Sequence, residues 1–308
     1  MSVTTRSGSR SSTASTRSNR MAGHDTPDSS RRPAARRGNR PLPLRVPSCV
    51  PTVRDQAVCV RHWDWSETSQ TVSVFTREHG LIRGIAKGAR REKAAFSGGL
   101  ELLTRGELVA IVKPSGSLAT LTAWDLQETF PALRRSLATF NAGMYLADLV
   151  CHSITDEDPH PALFDALLSS LRTIGDSAAK AILHFQWATL VETGYKPALG
   201  REPAEQARAV YGFSPRAGGL VSIAQDEGDN TPSAPFWRVR SPTVELLRRL
   251  ESGHSIGGDA ASIDRANRLL AAYLREILGR DLPTVRWVFG KRPLTDAPPS
   301  PRAGNPRK

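Results

Sequence analysis

The chain has 308 residues, of which 39% are hydrophobic and 23% charged, a composition typical of a globular protein long enough for two domains. Its formal net charge of +12 favours a polyanionic partner, but residues 1–48 carry a net +8 and residues 291–308 a net +4, so the middle of the chain is close to neutral. No run approaches the ~20 apolar residues of a membrane span, and three widely spaced cysteines argue against a disulfide scaffold and a thiolate zinc site.

The two ends of the chain differ in composition from the rest. Residues 1–48 consist mainly of Ser, Thr, Arg, Pro and Gly, so they cannot bury enough surface to offset the entropy of ordering. We expect a disordered basic tail, or translated sequence upstream of an internal start at Met21. A transit peptide and a DNA-tethering arm are the alternatives. The Pro-rich residues 291–308 are predicted to form a second disordered tail.

Residues 49–130 have the pattern of short β-strands separated by turns. Apolar runs cover residues 58–60, 72–74, 81–86, 108–112 and 118–124. Five short strands in succession are typical of a small OB-fold barrel. We therefore predict an α+β chain with an N-terminal five-stranded OB-fold barrel at 49–130, followed by an α-helical domain at 131–290.

After Pro131 the apolar period becomes helical. The first helix should bury one stripe, made of Leu133, Leu137, Phe140, Met144, Ala147 and Cys151. Further helices are predicted from Pro161 and over residues 178–192, 243–250 and 263–278, with Gly279 ending the last. The helix at 178–192 is apolar around most of its circumference and should be central. An irregular Gly- and Pro-rich insert is predicted at about 194–242.

The most distinctive local feature is the stretch 83–93, which contains five cations and one anion. Because Arg83 alternates with Ile82, its side chain should point away from the barrel core. Gly88 should begin a loop with little side-chain obstruction. Cations on a barrel face beside a basic loop are suited to binding a phosphate backbone, and the alternative is a solvated loop that aids solubility.

Aromatic side chains near this stretch would add base stacking. The candidates are Trp63, Trp65, Phe75 and Phe96. We favour Phe96, since it lies beside the basic loop and small residues flank it.

Two groups of titratable residues are candidates for a metal or catalytic site. The turn 156–158, with His152 and His160, contains acidic residues, but its place before Pro161 favours carboxylates that meet a helix N-terminus. His184 is predicted to be a satisfied buried histidine. We predict no metal, no cofactor and no catalytic residue.

Seven motifs follow one another between residues 53 and 290: WSETS (65–69), VFTREHG (74–80), GIAKGARR (84–91), PHPALF (159–164), ETGYKP (192–197), FSPRAGG (213–219) and LAAYLR (270–275). In this order they resemble the RecO family of bacterial recombination mediators. The resemblance does not extend into either of the two tails.

The resemblance implies an OB-fold followed by a helical domain. It implies sequence-independent binding of single- and double-stranded DNA and annealing of complementary strands in the cytoplasm, at the nucleoid and without membrane contact. It also implies the partners RecR, the C-terminal tail of single-strand-binding protein (SSB) and in some members RecF, which together help RecA load on DNA. The residues that match the family's basic DNA-binding stretch are Arg83, Lys87, Arg90, Arg91 and Lys93.

The chain departs from the family at one point. Many members carry a four-cysteine zinc module that would lie within residues 198–225, where this sequence has no cysteine. A tetrathiolate zinc site is therefore impossible there. We expect packing of Tyr211, Phe213 and Leu220 to hold the segment instead.

We therefore predict a non-enzymatic DNA mediator, with three alternatives. An OB-fold protein that binds RNA would have the same basic stretch. A protein–protein scaffold, with DNA affinity from its basic tails, would explain the near-neutral middle of the chain. A nuclease would need convergent carboxylates, and the sequence lacks the P-loop, HExxH and GxSxG signatures of other enzymes.

Overall fold

A computed structural model describes residues 52–91, 95–96, 99–112, 118–200, 209–221, 236–292 and 294. Most of both predicted tails lies outside these ranges, as does Lys93, so the predictions for them stay predictions. The β-strands are β1 (Thr52–Asp64), β2 (Gln70–Thr76), β3 (Gly80–Ala86), β4 (Arg105–Ile111), β5 (Ala119–Glu128), β6 (Val210–Ser214), β7 (Gly219–Val221) and β8 (Trp237–Arg240). The α-helices are α1 (Leu137–Ser153), α2 (Pro161–Thr173), α3 (Ala178–Glu192), α4 (Ser241–Glu251), α5 (Ala260–Leu278) and α6 (Val285–Phe289).

Strands β1 to β5 close into a barrel in the order β1-β2-β3-β5-β4. The long strand β1 completes the closure, because its first half pairs with β4 and its second half with β2. All neighbouring strands of the barrel are antiparallel except β3 and β5, which are parallel. This is the topology of an OB-fold, and it confirms the predicted α+β class. The barrel interior is filled mainly by Ala57, Val72, Val74, Ile82, Leu108, Leu121 and Trp124.

The helical domain is built around α3, which packs against α1, α2 and α5. Its limits agree with the predicted 178–192, and Gly279 ends α5 in the left-handed conformation, as predicted. The stripe predicted for the first helix is wrong at its start. Leu133 belongs to a separate 3₁₀ turn and Leu137 is 74% exposed, because the chain changes direction at Ser136, the N-cap of α1.

The insert predicted as irregular contains a small sheet instead. Strands β7, β6 and β8 pair antiparallel in that order. Phe213, fully buried, stacks against Trp237 with ring centroids 5.9 Å apart and meets the edge of Tyr273 at 5.2 Å. Tyr211 and Phe213 are thus packed in the core as predicted, and Phe213, Trp237 and Tyr273 form an aromatic cluster.

Barrel and helices share one hydrophobic core. Val58 and Val60 on β1 face the helices, and Phe75 on β2 meets Phe164 on α2 with ring centroids 5.6 Å apart. None of the helices in the described ranges is long and apolar enough to cross a membrane. The shared core fixes the orientation of the barrel relative to α1 and α2.

Candidate nucleic-acid interface

The outer surface of β1, β2 and β3 carries residues in register. Trp63 pairs with Thr71, and Thr71 pairs in turn with Ile85. Because directly paired residues of an antiparallel sheet project to the same side, these three form one row. A neighbouring row contains Arg83. We call the exposed part of this surface, with its adjoining loops, the barrel face: Trp63, Thr71, Arg83, Ile85, Trp65, Lys87 and Arg91.

Two tryptophans of the barrel face are open to solvent. The side chain of Trp63 is 53% exposed and that of Trp65 is 67% exposed. Trp65 begins the turn between β1 and β2, which is closed by a hydrogen bond from the Trp65 amide to the Ser69 carbonyl at 3.0 Å. Exposed indole rings of this size are unusual on a protein surface and are suited to stacking against bases.

The loop after β3 is fixed to the turn between β1 and β2. The Gly88 amide donates to Ser69 Oγ at 3.2 Å, and the Arg90 amide donates to the Thr68 carbonyl at 3.3 Å. Gly88 has a φ of 67°, which a side chain would strain. Between the two loops lies an open cleft of about 430 Å³, and its wall includes Trp65, Lys87 and Arg91.

The predicted DNA-binding cations differ in their charge partners. Arg90 pairs with Asp64 at 2.5 Å, and Arg83 pairs with Asp156 at 3.1 Å. Lys87 and Arg91 have no carboxylate within 4 Å among the described residues. The structure thus brings Lys87 and Arg91 together on the cleft, while Lys93 lies outside the described residues. Both ion pairs are about half exposed, so each contributes little to stability and a phosphate can compete for the arginine.

The acidic turn at 156–158 does not cap α2. The N-cap of α2 is His160, whose side chain makes no capping hydrogen bond. Instead, Asp156 pairs with Arg83, and the Glu157 amide donates to the Leu81 carbonyl at 3.1 Å. The turn therefore forms the acidic border of the barrel face. No group of three His, Cys, Asp or Glu side chains within the described ranges is arranged to hold a metal.

His152 and His184 make structural contacts. His152 Nδ1 donates to the Asp148 carbonyl at 2.7 Å within α1. His184 is half buried and lies 3.1 Å from Ser170 Oγ, and burial lowers the pKa of its imidazole.

The choice of Phe96 for base stacking has to be corrected. Phe96 is only 3% exposed and belongs to the barrel core, as does the ring of Phe75 to the shared core. Neither presents a face to a ligand. The alternation along β1 favours Trp63 over Phe96 as a stacking residue. Trp63 follows Arg61 by two residues and therefore lies on the outer side of the strand, like Arg83 on β3.

Comparison with known proteins gives a consistent result over nearly all of the described chain. The family models "Recombination protein O N terminal" and "Recombination protein O C terminal" match residues 50–130 and 134–286. The DNA repair protein RecO of Dehalococcoides mccartyi strain CBDB1 is 33% identical over 255 residues, which are 78% of this chain and 96% of that protein. RecO of Myxococcus xanthus is 30% identical over 76% of this chain and 96% of its own length. RecO of Rhodopirellula baltica is 38% identical over 54% of this chain, and the match spans 64% of that protein, just under two thirds.

Proposed function

We propose that this chain, which belongs to the RecO family of DNA repair proteins, binds single- and double-stranded DNA through the barrel face and anneals complementary strands. The observation that carries the proposal is the cleft in which Lys87 and Arg91, free of carboxylates among the described residues, lie beside the exposed ring of Trp65. In an OB-fold, the surface of strands 2 and 3 and the loop between strands 1 and 2 are common nucleic-acid sites.

Each part of the barrel face has a distinct task in this proposal. Lys87 and Arg91 contact phosphates and release counterions, which gives affinity without sequence preference. Trp63 and Trp65 stack on bases of a single strand, and any base offers such a surface. Arg83, and Arg90 of the adjoining loop, contribute only in part, because exposed carboxylates compete with phosphates for their guanidinium groups.

Annealing then needs no catalytic side chain. Cations that neutralise phosphates of both strands reduce their mutual repulsion and raise their local concentration. Base pairing supplies the free energy. The chain therefore acts as a non-enzymatic mediator in this proposal.

Partners follow from family membership. We infer that the chain works with RecR and with the C-terminal tail of SSB, and in some settings with RecF, to help RecA load on SSB-coated single strands in the bacterial cytoplasm. The relatives named above are called DNA repair proteins, which supports this role in its general form.

Strand annealing and single-strand binding across a salt series test the proposal. The full chain is compared with residues 49–308 and with the K87E/R91E variant, and K180E/R216E serves as the control because both residues are exposed and lie elsewhere. We expect K87E/R91E to abolish both activities, and the control to retain them.

Other outcomes decide against the proposal in distinguishable ways. If residues 49–308 no longer bind while the full chain does, the N-terminal tail holds the DNA and the rest is a scaffold. If single-stranded RNA of the same length binds more tightly than DNA, the OB-fold serves RNA. If K87E/R91E binds like the control, the barrel face is not the site.

A further inference from the structure

A second strongly basic surface lies in the helical domain. Strand β8, the N-terminal halves of α4 and α5, and the residues Arg292 and Leu294 surround a cavity of about 270 Å³. We call it the arginine pocket, after the arginines in its wall: Arg238, Arg240, Arg265, Arg268 and Arg292. Asp264 is the one carboxylate among the lining residues that the structure describes.

Most of this charge is not neutralised. Within the described ranges, only Arg268 of the five has a carboxylate within 4 Å, namely Asp264 at 2.9 Å. Arg265 is held by neutral groups, since its Nη2 donates to Ser262 Oγ at 2.8 Å. Arg268 also donates to the Phe289 carbonyl at 3.2 Å, while its Nη1 is buried without a hydrogen-bond partner among the described residues. The guanidinium groups of Arg265 and Arg268 are thus held in place by hydrogen bonds at the wall of the pocket.

The backbone adds to the positive potential. Thr243 in the first turn of α4 lines the pocket, as does Ala261 in that of α5, where the Asp259 side chain already caps the helix by accepting from the Ser262 amide at 2.8 Å. The N-terminus of α4 has no acidic residue in its first turn and no side-chain cap. Since the N-terminal end of a helix carries a partial positive charge and free amide groups, it favours an anionic ligand at this place.

The spacing of the cations favours a chain of phosphates over a single anion. Arg238 and Arg240 are both exposed and project from the same side of strand β8, about 6.6 Å apart as residues two positions apart in a strand. Arg265 and Arg268 lie three positions apart on α5 and line the same cavity. Guanidinium groups match phosphate oxygens with two parallel hydrogen bonds. Among the described lining residues, Trp237 is the one aromatic residue, and its ring is buried against Phe213, so these residues offer no surface for stacking bases.

We propose that the arginine pocket is a second DNA site, which binds the sugar–phosphate backbone of one strand while the barrel face holds another. This inference rests on the proposed function of the barrel face. The two surfaces belong to different parts of the fold, because α5 packs on α3 and α4 whereas the barrel packs on α1. A molecule with two backbone sites holds two strands at once, and annealing then begins within one protein–DNA complex.

The test uses the full chain with R238E/R240E, with K87E/R91E, and with the control R216E/R249E, which makes the same charge change at exposed arginines outside the pocket. Binding of one fluorescent single strand is measured first. Capture of a second, non-complementary labelled strand by the same molecule is then measured by energy transfer, and annealing of complementary strands last. We expect R238E/R240E to bind the first strand within about threefold of the control, and to lose capture and annealing by tenfold or more.

The outcomes separate the two proposals. If R238E/R240E captures a second strand and anneals like the control, the arginine pocket is not a DNA site, whatever K87E/R91E does. If K87E/R91E binds the first strand like the control, the barrel face fails on its own account. If R238E/R240E anneals normally but loses binding of a Glu-rich decapeptide that the control retains, the pocket serves an acidic protein segment and the inference is overturned.

Discussion

Asp64, the last residue of β1, neutralises Arg90 of the basic loop through an ion pair with Arg90 Nη2 2.5 Å from Asp64 Oδ1. The same loop leaves Lys87 and Arg91 without a carboxylate within 4 Å among the described residues. Cations that are close together in the sequence therefore differ in whether a carboxylate neutralises them in the folded chain. An acidic residue of a neighbouring strand sets how many of them are immediately available to a phosphate.

Asp64→Asn is expected to strengthen single-strand binding. The change removes the carboxylate that competes with phosphate for Arg90, so Arg90 becomes fully available to the DNA and the salt slope should steepen by up to about 0.7. The affinity should rise severalfold at low salt and little at high salt. Asp125→Asn, an equal charge change at an exposed position on β5, is the control. An identical slope for both variants would show that Arg90 does not contact DNA.

Trp63→Ala and Trp65→Ala are expected to weaken single-strand binding through lost stacking. Stacking contributes about 1–3 kcal/mol per base, so each variant should lose roughly 5- to 150-fold in affinity. Because no charge changes, the salt slope should stay as in the parent chain. Trp65→Phe should retain most of the affinity, since a ring remains.

Tryptophan fluorescence checks the same point. The tryptophan emission of the parent chain should be quenched when a single-stranded oligonucleotide is added, and that of the double Trp63/Trp65 variant should not. Trp287→Ala, at another exposed tryptophan on α6, is the control and should bind normally. If the Trp63 and Trp65 variants bind single-stranded DNA as tightly as Trp287→Ala does, stacking at the barrel face is excluded.

Phe213→Ala is expected to destabilise the helical domain. Phe213 is fully buried between Trp237 and Tyr273, so its loss leaves a cavity and should cost about 3–5 kcal/mol of unfolding free energy. Denaturant unfolding measures this. Since no cysteine lies within 198–225, a chelator should leave the parent midpoint unchanged. A lower midpoint with chelator would mean that a metal stabilises the fold by other ligands.

Hydrophobic periodicity within a segment is enough to predict an element whose buried residues all follow that periodicity. The barrel strands alternate or run apolar, and α3 is apolar on nearly all sides, so their class could be predicted, together with the limits of α3. The limits of β1 could not, since it covers Thr52–Asp64 and the predicted apolar run covers only 58–60. The sheet β6–β8 could not. Its strands have three to five residues and depend on partners distant in sequence, with Phe213 opposite Trp237.

The site was predictable in composition but not in arrangement. Arg83 alternates visibly with Ile82, yet its partner Asp156 is far away in sequence and joins it because the turn before α2 packs on β3. Small residues flank Phe96 in the sequence, which predicts an accessible ring. The closure of the barrel buries it, since the carbonyl of Ala95 next to it accepts from the Trp124 amide of β5 at 2.8 Å.

Stability is expected to fall at alkaline pH because two thiols are buried. Burial raises the pKa of Cys59 from its ordinary value near 9 to about 12, and that of Cys151 to about 11. The unfolded chain therefore loses these protons at lower pH than the native chain does. Above about pH 9 the native state binds more protons than the unfolded state, so the free energy of unfolding decreases as pH rises towards 12.

The Cys59→Ala variant isolates this effect. The variant should be less stable at pH 7, because a buried side chain becomes smaller, but its unfolding free energy should decline less steeply between pH 9 and 11 than that of the parent. Urea unfolding at several pH values gives both curves. Reaction of the native chain with iodoacetamide at pH 8 should leave Cys59 and Cys151 unmodified, since both are buried and protonated. Parallel curves for variant and parent, or rapid labelling of Cys59, would show that its thiol is accessible to water in the native state.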